Sequence, residues 1–443
     1  MAEIHYHIDE PRDWERLPRS FLLRGWCFAS SHGPIRGLRL RIQDLCIYGA
    51  IGKSRPDVKS AFPDAPDNFT GFEVQAVFPS GRQNLAIEVR LDDGSWQLLL
   101  SHQAMITRRS WPFWLGGGNW AELIFSQFPC QMQHPPRELT PEKFPSPDSK
   151  PARWPKFSVI TPSLQQAPFL GETMRGVLKQ TSVNCEYVIK DGGSTDGSLD
   201  LIRKLDQEWR ESPDASEGQN GERDSHRSPS TTPRLISWAS EPDAGQADAI
   251  ARGFTKTSGG PDDVMAWINS DDFYLPGAFA FVADFFASHP TVDVIYGHRL
   301  LVDESSREIG RWFLPKHDDE VLRLYDFVPQ ETMFWRRRIW NKVVGIDSSC
   351  HFAMDWDLLL RFQAAGANIV RVPYFLACFR LHPTQKTAAA MDTIGQQEID
   401  ALRLRTHQRH IPPAEIEAHP KLLSHLRRSS WIRFLWRLGI RAG

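Results

Sequence analysis

Phe157-Ser-Val-Ile-Thr-Pro-Ser163 and Glu186-Tyr-Val-Ile-Lys-Asp-Gly-Gly-Ser-Thr-Asp-Gly197 each set a short apolar run before a turn rich in Gly, Ser, Pro or Asp. Runs at 157–161, 186–190, 235–239 and 264–268 are apolar without alternation, as strands buried on both faces are. Between the first two, Phe169, Met174, Val177 and Leu178 fall at helical spacing, and Leu199, Ile202 and Leu205 repeat it after Asp196-Gly197. Alternation of β and α predicts a parallel-sheet α/β domain. Residues 207–233 interrupt it with Ser, Pro, Gly, Asn and charge, and read as an inserted surface loop.

Acids recur just after these strands, where open α/β sheets place their ligands. Asp191 follows the second run, Asp243 the third, and Asn269-Ser270-Asp271-Asp272 the fourth. Each alone fits a turn or a helix cap, because Asp and Asn favour both. Adjacent carboxylates after a buried strand are different, since they repel unless a cation or a proton intervenes. Hard oxygen ligands favour Mg²⁺ or Mn²⁺, and such an ion binds a diphosphate.

Outward from this core the chain changes character. In the first 110 residues Leu38, Leu40 and Ile42 alternate with arginines, and 85–91 alternates again before Asp93-Gly94 turns the chain into Trp96-Gln97-Leu98. These are hairpin signals, and they predict a small antiparallel sandwich. Residues 111–156 read as a linker: an aromatic run at 111–120, taken as an interdomain contact in preference to a sugar-stacking platform, then seven prolines between 134 and 155. The last segment, 391–443, reads as a helical tail. Its part from 421 carries six Lys or Arg and no acid, interleaved with Trp431, Phe434 and Trp436. Two readings fit it: a helix packed on its own domain with a solvated basic face, or one lying on anionic lipid.

Composition removes other classes. The 443 residues hold 52 Lys+Arg and 54 Asp+Glu, a net charge of −2, which excludes a globally basic nucleic-acid binder. Subtracting the tail's +6 from −2 leaves −8 on the rest. Six scattered cysteines without a C-x-x-C pair speak against a disulfide framework or structural zinc, and a reducing cytoplasm is expected. No signal peptide is read at the start, and no apolar stretch reaches the roughly 18–20 residues that span a bilayer. Gly52-Lys53-Ser54 lacks the earlier glycine of a P-loop, since position 47 is Ile. Gly192-Gly-Ser194-Thr-Asp196 ends in Asp where a nucleophile elbow needs Gly, and no H-E-x-x-H occurs.

Taken in order, these motifs resemble family 2 glycosyltransferases of the GT-A fold. The likeness runs through the two stretches quoted first, Gln180-Thr, Glu241-Pro-Asp-Ala-Gly245 and Asn269-Ser-Asp-Asp272. It continues through Pro329-Gln-Glu331, Phe334-Trp-Arg-Arg337, Ala353-Met-Asp-Trp-Asp357 and Phe379-Arg-Leu-His382, about 157–390 in all. The resemblance implies a GT-A-type nucleotide-binding mixed sheet with flanking helices, after a small all-β, sandwich-like accessory domain. That N-terminal module is similar to one preceding some bacterial glycosyltransferases, through Arg24-Gly-Trp-Cys27, Arg55-Pro-Asp57 and Ser80-Gly81.

It further implies an inverting, metal-dependent transfer of a sugar from a nucleotide-diphospho-sugar to a glycan or lipid-linked hydroxyl, as in bacterial surface polysaccharide synthesis. Pro162, Asp191 and Asp243 would line the nucleotide pocket, with Asp191 accepting a base N–H. Asn269, Ser270, Asp271 and Asp272 match the acidic motif, where Asp271 and Asp272 would hold Mn²⁺ or Mg²⁺ with His382. Arg380 would add positive charge near the diphosphate. Asp355 matches the catalytic base; Asp357, two residues on, is its rival and is expected instead to cap or solvate the following helix. Three positions depart from the family: Asn269 where many relatives carry an acid, Gln165 where Asn is common, and Ala251-Arg252 for Asn-Lys. Two other functions remain open on the residues. A sugar-phosphate nucleotidylyltransferase would open with a Gly-rich triphosphate loop, whereas this chain has Thr161-Pro-Ser-Leu-Gln165. A non-catalytic glycan- or partner-binding protein with the same fold is the other. The expected setting is the cytoplasm, at the inner face of the plasma membrane if the tail binds lipid.

Overall fold

The strands that open the chain form the first of two sheets. The computed structural model describes residues 3–18, 20–30, 34–42, 45–53, 55–66, 70–77, 81–107, 133–134, 136–140, 142–145, 154–180, 183–211, 233–382 and 394–440. Position 54, position 80, the aromatic run at 111–120 and most of the Pro-rich stretch lie outside the described residues, as do 212–232 of the expected insertion.

Two compact units divide the chain. One comprises 1–139 with 301–310 and 381–397, and the other comprises 140–300, 311–380 and 398–443. In the first unit, β1 (Ile4–Glu10), β2 (Arg16–Pro18), β3 (Ser20–Ala29), β4 (Gly37–Ile42) and β5 (Leu45–Lys53) are followed by the short helix α1 (Pro56–Ala61). Strands β6 (Gly71–Val77), β7 (Gly81–Arg90) and β8 (Trp96–Thr107) complete it. They pair in the order β1-β3-β6-β5-β4-β7-β8-β2. Strand β5 passes from one neighbour to the other: its residues 45–49 pair with β4, and Ala50, Ile51 and Lys53 pair with β6, with a bulge between the last two. Leu38, Leu40 and Ile42 of β4 are buried as their alternation requires. The intervening Arg39 and Arg41 share the buried carboxylate of Glu88 at 2.6 Å each. The pairing is antiparallel except between β2 and β8, which are parallel. Nothing in the residue pattern marks that pair, because Arg16-Leu-Pro18 is too short to carry a period.

The second unit holds the predicted α/β alternation. From β9 onward the chain's elements are β9 (Phe157–Ser163), α2 (Ala167–Leu178), β10 (Cys185–Asp191), α3 (Ser198–Glu211), β11 (Pro233–Ser240), α4 (Gln246–Phe254) and β12 (Val264–Trp267). They continue with β13 (Phe273–Tyr274), α5 (Ala278–Ser288), β14 (Val294–Val302), β15 (Glu308–Trp312), α6 (Asp319–Leu324), β16 (Phe334–Arg336) and α7 (Arg337–Lys342). The last are α8 (Met354–Ala364), β17 (Ile369–Arg380), α9 (Gln396–His407), α10 (Pro413–Glu417) and α11 (Pro420–Arg437). The sheet runs β11-β10-β9-β12-β16-β14-β17-β13, with β15 on β14. Strands β11, β10, β9 and β12 are mutually parallel, and β12–β16, β14–β16 and β13–β17 are antiparallel. A mixed α/β sheet with flanking helices, preceded by an all-β region, is therefore what the chain forms.

Every residue of β9, β12 and β14 is buried, which explains their unbroken apolar runs. Helix α4 lies so close to β9 that a Cβ on Gly253 would come within 2.6 Å of Ile160. The expected insertion begins later than position 207. Helix α3 continues to Glu211, held by the Asp206–Arg210 ion pair at 2.8 Å and by Trp238, whose indole N–H donates to Asp206.

Helix α11 packs inward through Leu422, His425, Ser429 and Ile432, an i, i+3, i+7, i+10 stripe. Burial pushes the His425 imidazole down to about 4, against Asp318, which raises it, and His317 and Arg428, which lower it further. A histidine whose folded value lies below its ordinary 6.5 is protonated first in the undocked state. Docking of α11 is thus expected to be fully present above pH 6.5 and to weaken as the pH falls toward 4, by about 3 kcal/mol in total. Limited proteolysis across this range checks it, and His425→Phe is expected to flatten the dependence.

Candidate functional site

Parallel neighbours β9, β10 and β11 end side by side, and their ends are stitched together. Gly192 N–H donates to the Ser163 carbonyl at 2.8 Å, and Glu241 N–H to the Asp191 carbonyl at 2.9 Å. Asp191 is buried, and its carboxylate organises the turn that follows. Its Oδ2 accepts from the N–H groups of Gly193 (3.1 Å) and Ser194 (2.9 Å) and from Ser240 Oγ (2.6 Å), and its Oδ1 from Ser194 Oγ (2.6 Å). Gly193 and Gly197 have φ of +88° and +96°, conformations that favour glycine and give this turn its composition. Asp196 fixes the other side, accepting from Ala167 N–H at the start of α2 and from Ser198 at the start of α3.

Pro162 and Ser163 are buried at the end of β9, and Ser163 Oγ has no hydrogen-bond partner. Asp243 is half-buried and turns back to accept from Gly245 N–H at 2.9 Å. A Cβ on Gly192 would stand 3.1 Å from its Oδ2. The structure thus brings Pro162, Asp191 and Asp243 to one sheet end.

The acidic motif after β12 is held from three sides. Gln246 Nε2 donates to Asn269 Oδ1 at 2.7 Å. Thr173 Oγ1 lies 2.9 and 2.6 Å from the carbonyls of Ser270 and Asp272. Arg380, at the end of β17, gives its N–H to Asp272 Oδ1 (3.0 Å) and its Nε–H to the Asp271 carbonyl (2.9 Å). The Arg380 guanidinium is 1 % exposed; it pairs with Glu172 and lies over Phe169 and Phe273. Its contact with this motif is through the backbone of Asp271 and the buried carboxylate of Asp272.

Asp271 is half-buried and Asp272 fully buried. Burial, then the charges of Asp271 and Glu331, hold the Asp272 carboxyl well above the usual carboxylate range. Its Oδ2 has no hydrogen-bond partner. An uncompensated buried oxygen beside a second, more accessible carboxylate is a donor set that suits a hard divalent cation. Among the described residues, the group of three ligating side chains within 4.8 Å of one another is elsewhere: Asp347, Cys350 and Asp357. That group already has its positive charge, because Asp357 pairs with Arg361 and Arg405 at 2.7 and 2.6 Å. His382, expected beside the metal, is buried and belongs to the first compact unit.

Asp355 stands in the first turn of α8, where the helix N-terminus favours an ionised carboxylate, and its Oδ1 accepts Trp356 N–H at 2.9 Å. The Trp356 indole donates to the Leu322 carbonyl of α6 at 2.8 Å and so ties α8 to α6. Asp326 follows α6, and burial together with the Asp355 charge raises its carboxyl well above the ordinary range. Asp357, expected at a solvated cap, is instead buried inside the helix, because two arginines neutralise it there.

Four residues of this site had no role on sequence grounds. Asp326 and Arg299 lie in 299–330, which carries no motif, and Glu331 was visible only as part of Pro329-Gln-Glu331. Arg299 grips Glu331 through two hydrogen bonds, 2.7 and 2.8 Å, with its guanidinium 4.2 Å from the Phe379 ring. Glu398 accepts the N–H groups of His351, Phe352 and Ala353 at 2.8–2.9 Å and so shapes the loop entering α8. It sits in the tail, far along the chain from that loop, and only the fold brings it there.

Residues 158–216 match a protein-family model described as Glycosyl transferase family 2. An uncharacterized glycosyltransferase from Nostoc sp. is 24 % identical over 252 residues, which is 55 % of this chain and 70 % of that protein. A PGL/p-HBAD biosynthesis glycosyltransferase from Mycobacterium bovis is 25 % identical over 218 residues, 49 % of this chain and 73 % of its own length. Among solved structures, S. aureus TarS 1–349 superposes with a TM-score of 0.40 at 14 % identity, covering 62 % of this chain and 72 % of that one.

Proposed function

From the premise that this chain carries a glycosyltransferase family 2 domain, we propose that it is an inverting, metal-dependent enzyme. It moves a sugar from a nucleotide-diphospho-sugar to a hydroxyl of a glycan or lipid-linked acceptor in bacterial surface polysaccharide synthesis, at the cytoplasmic side of the membrane. One observation carries the reading: Asp191 ends β10, and Asp243 and the Asn269–Asp272 motif follow the carboxyl ends of β11 and β12, strands that run parallel to it. Sheets of this kind bind their ligands there.

In the proposed site Pro162 and Asp191 face the nucleotide base. Asp191 Oδ1 accepts a single hydrogen bond, which leaves it a lone pair for a base N–H. Asp243 closes the same side. Asp271, with Asp272 behind it, would hold Mn²⁺ or Mg²⁺, which supplies charge stabilisation for the departing diphosphate. Asn269 and Ser270 fix the backbone of that motif, and Arg380 positions Asp271 through its carbonyl. Asp355 takes the proton of the acceptor hydroxyl as its oxygen attacks the anomeric carbon. The bond from that carbon to the diphosphate oxygen breaks on the opposite face, so configuration inverts.

The test is a thermal-shift and product-release screen of the full chain against UDP-, GDP- and dTDP-sugars with and without Mn²⁺. Stabilisation by one donor and release of its nucleoside diphosphate are expected. No stabilisation and no release with any donor would sink the reading. Asp271→Ala is expected to lower metal-dependent donor binding on the order of 100-fold, measured by titration calorimetry. An unchanged metal requirement would remove Asp271 from the role.

A further inference from the structure

Helix α11 has two apolar stripes, and its own unit covers only one of them. Leu422, His425, Ser429 and Ile432 face inward, where Ser429 Oγ donates to the Phe313 carbonyl. Trp436 continues that side against Phe313 and under the Arg311 guanidinium, 4.4 Å from its ring. The second stripe is Arg427, Trp431, Phe434 and Leu438, an i, i+4, i+7, i+11 series that shares one helix face. Trp431 is 61 % exposed, Phe434 49 % and Leu438 60 %, and Ile440 just beyond the helix is 51 % exposed. The Trp431 and Phe434 rings stack on each other at 5.3 Å.

Twelve large apolar side chains are exposed among the described residues of the whole chain, and four of them fall within 431–440. That concentration is what distinguishes this stripe from singly scattered surface hydrophobics. It also accounts for the apolar residues being spread around most of the helical wheel: two faces are apolar, each for a different contact.

We propose that the Arg427-Trp431-Phe434-Leu438 face of α11 docks on an anionic lipid bilayer, lying in the plane of its interface. Charge complementarity selects this occupant. Arg427 within the stripe and Arg428 beside it are exposed, and no acid occurs anywhere in 418–443. Arginines that reach toward headgroups beside a Trp and a Phe at the acyl boundary are the composition of an interfacial helix. The remainder of the chain carries −8, so an anionic surface attracts the tail and repels the bulk, which orients the approach. No described helix is long and apolar enough to cross the membrane, so the contact is peripheral.

Flotation of the full chain with vesicles tests this without any nucleotide-sugar. Co-flotation is expected with phosphatidylcholine vesicles containing phosphatidylglycerol, absent with phosphatidylcholine alone, and reduced as salt rises. Two variants are expected to stay folded by circular dichroism, since every altered side chain is exposed. Trp431→Ser with Phe434→Ser and Leu438→Ser is expected to abolish flotation, and Arg427→Glu with Arg428→Glu to weaken it roughly twentyfold or more. The proposal is overturned if the wild type does not float with the anionic vesicles, or if both folded variants float as it does. It is equally overturned if the triple variant instead dissociates a larger species of this chain, which would make the stripe an interface between copies. Because the readout is lipid binding, a chain that floats but releases no nucleoside diphosphate would fail the transfer reading and leave this one standing.

Discussion

Asp355→Asn is expected to lower turnover by about a hundred- to ten-thousand-fold while leaving donor affinity unchanged. Asparagine has nearly the same shape, and its Oδ1 can still accept the Trp356 N–H that the aspartate accepts at 2.9 Å. The helix start and the Trp356–Leu322 hydrogen bond that ties α8 to α6 therefore survive the exchange. Only the capacity to take a proton is removed. The neighbouring Asp326 supplies a control. Its carboxyl is raised by burial and by the Asp355 charge, so protonation is the direction in which its surroundings push it. Asp326→Asn mimics that protonated state and is expected to keep turnover within a few-fold of wild type. It also removes a pH dependence of stability. A carboxyl raised in the folded state contributes most when both states are protonated, and its contribution is lost as pH rises through the folded value. The Asp326→Asn variant is accordingly expected to gain stability over wild type as pH rises from acid to neutral, with no difference at low pH. Steady-state kinetics with the donor found in the screen, and urea melts across pH, read both effects. Full turnover by Asp355→Asn would end the base assignment.

The strand–turn–acid pattern was open to sequence reading because buried parallel strands are written as unbroken apolar runs and their turns need Gly, Asp and Ser for backbone reasons. Gly193 and Gly197 show this directly, each with a positive φ that side chains rarely adopt. Gln165 shows the converse. It has a φ of +54°, in the left-handed region where Asn is tolerated better than most residues. Gln in place of Asn is thus a local backbone cost, met in part by hydrogen bonds to Ser194 and Thr195, with no bearing on charge in the site. Asp357 departs from the expected cap because a carboxylate near a helix start has the sequence pattern of one whether or not it is buried. Its burial depends on Arg361, one turn away, and on Arg405, which only the packing of α9 delivers. Asp326 and Arg299 left no trace in any period or motif, since what gives them meaning is the approach of α6, β14 and the 330–332 turn.

That approach leads to the second large effect. Replacing Arg299 with Ala is expected to cost about 3–5 kcal/mol of stability, because Glu331 would remain buried with its charge uncompensated. The pair is sealed: its side chains are 10 % and 1 % exposed, and two parallel hydrogen bonds of 2.7 and 2.8 Å join them. Arg299 is also the cation whose charge lowers both Asp272 and Asp326, while Glu331 raises both. Losing Arg299 therefore leaves these carboxylates facing one another, whereas losing Glu331 removes one of them. The two single substitutions should consequently differ, with Arg299→Ala more damaging than Glu331→Ala. Removing both charges together, as Arg299→Leu with Glu331→Leu, should restore part of the loss, since a buried ion pair replaced by apolar groups is often close to neutral. Arg299→Lys tests the geometry separately, because an ammonium cannot reproduce the two-pronged grip or the guanidinium's place 4.2 Å over the Phe379 ring. Urea denaturation of the four variants gives a double-mutant comparison. If the Leu–Leu variant is less stable than Arg299→Ala, the pair is held by more than its charges, and Arg299 cannot be the element that keeps the acidic side chains of this site together.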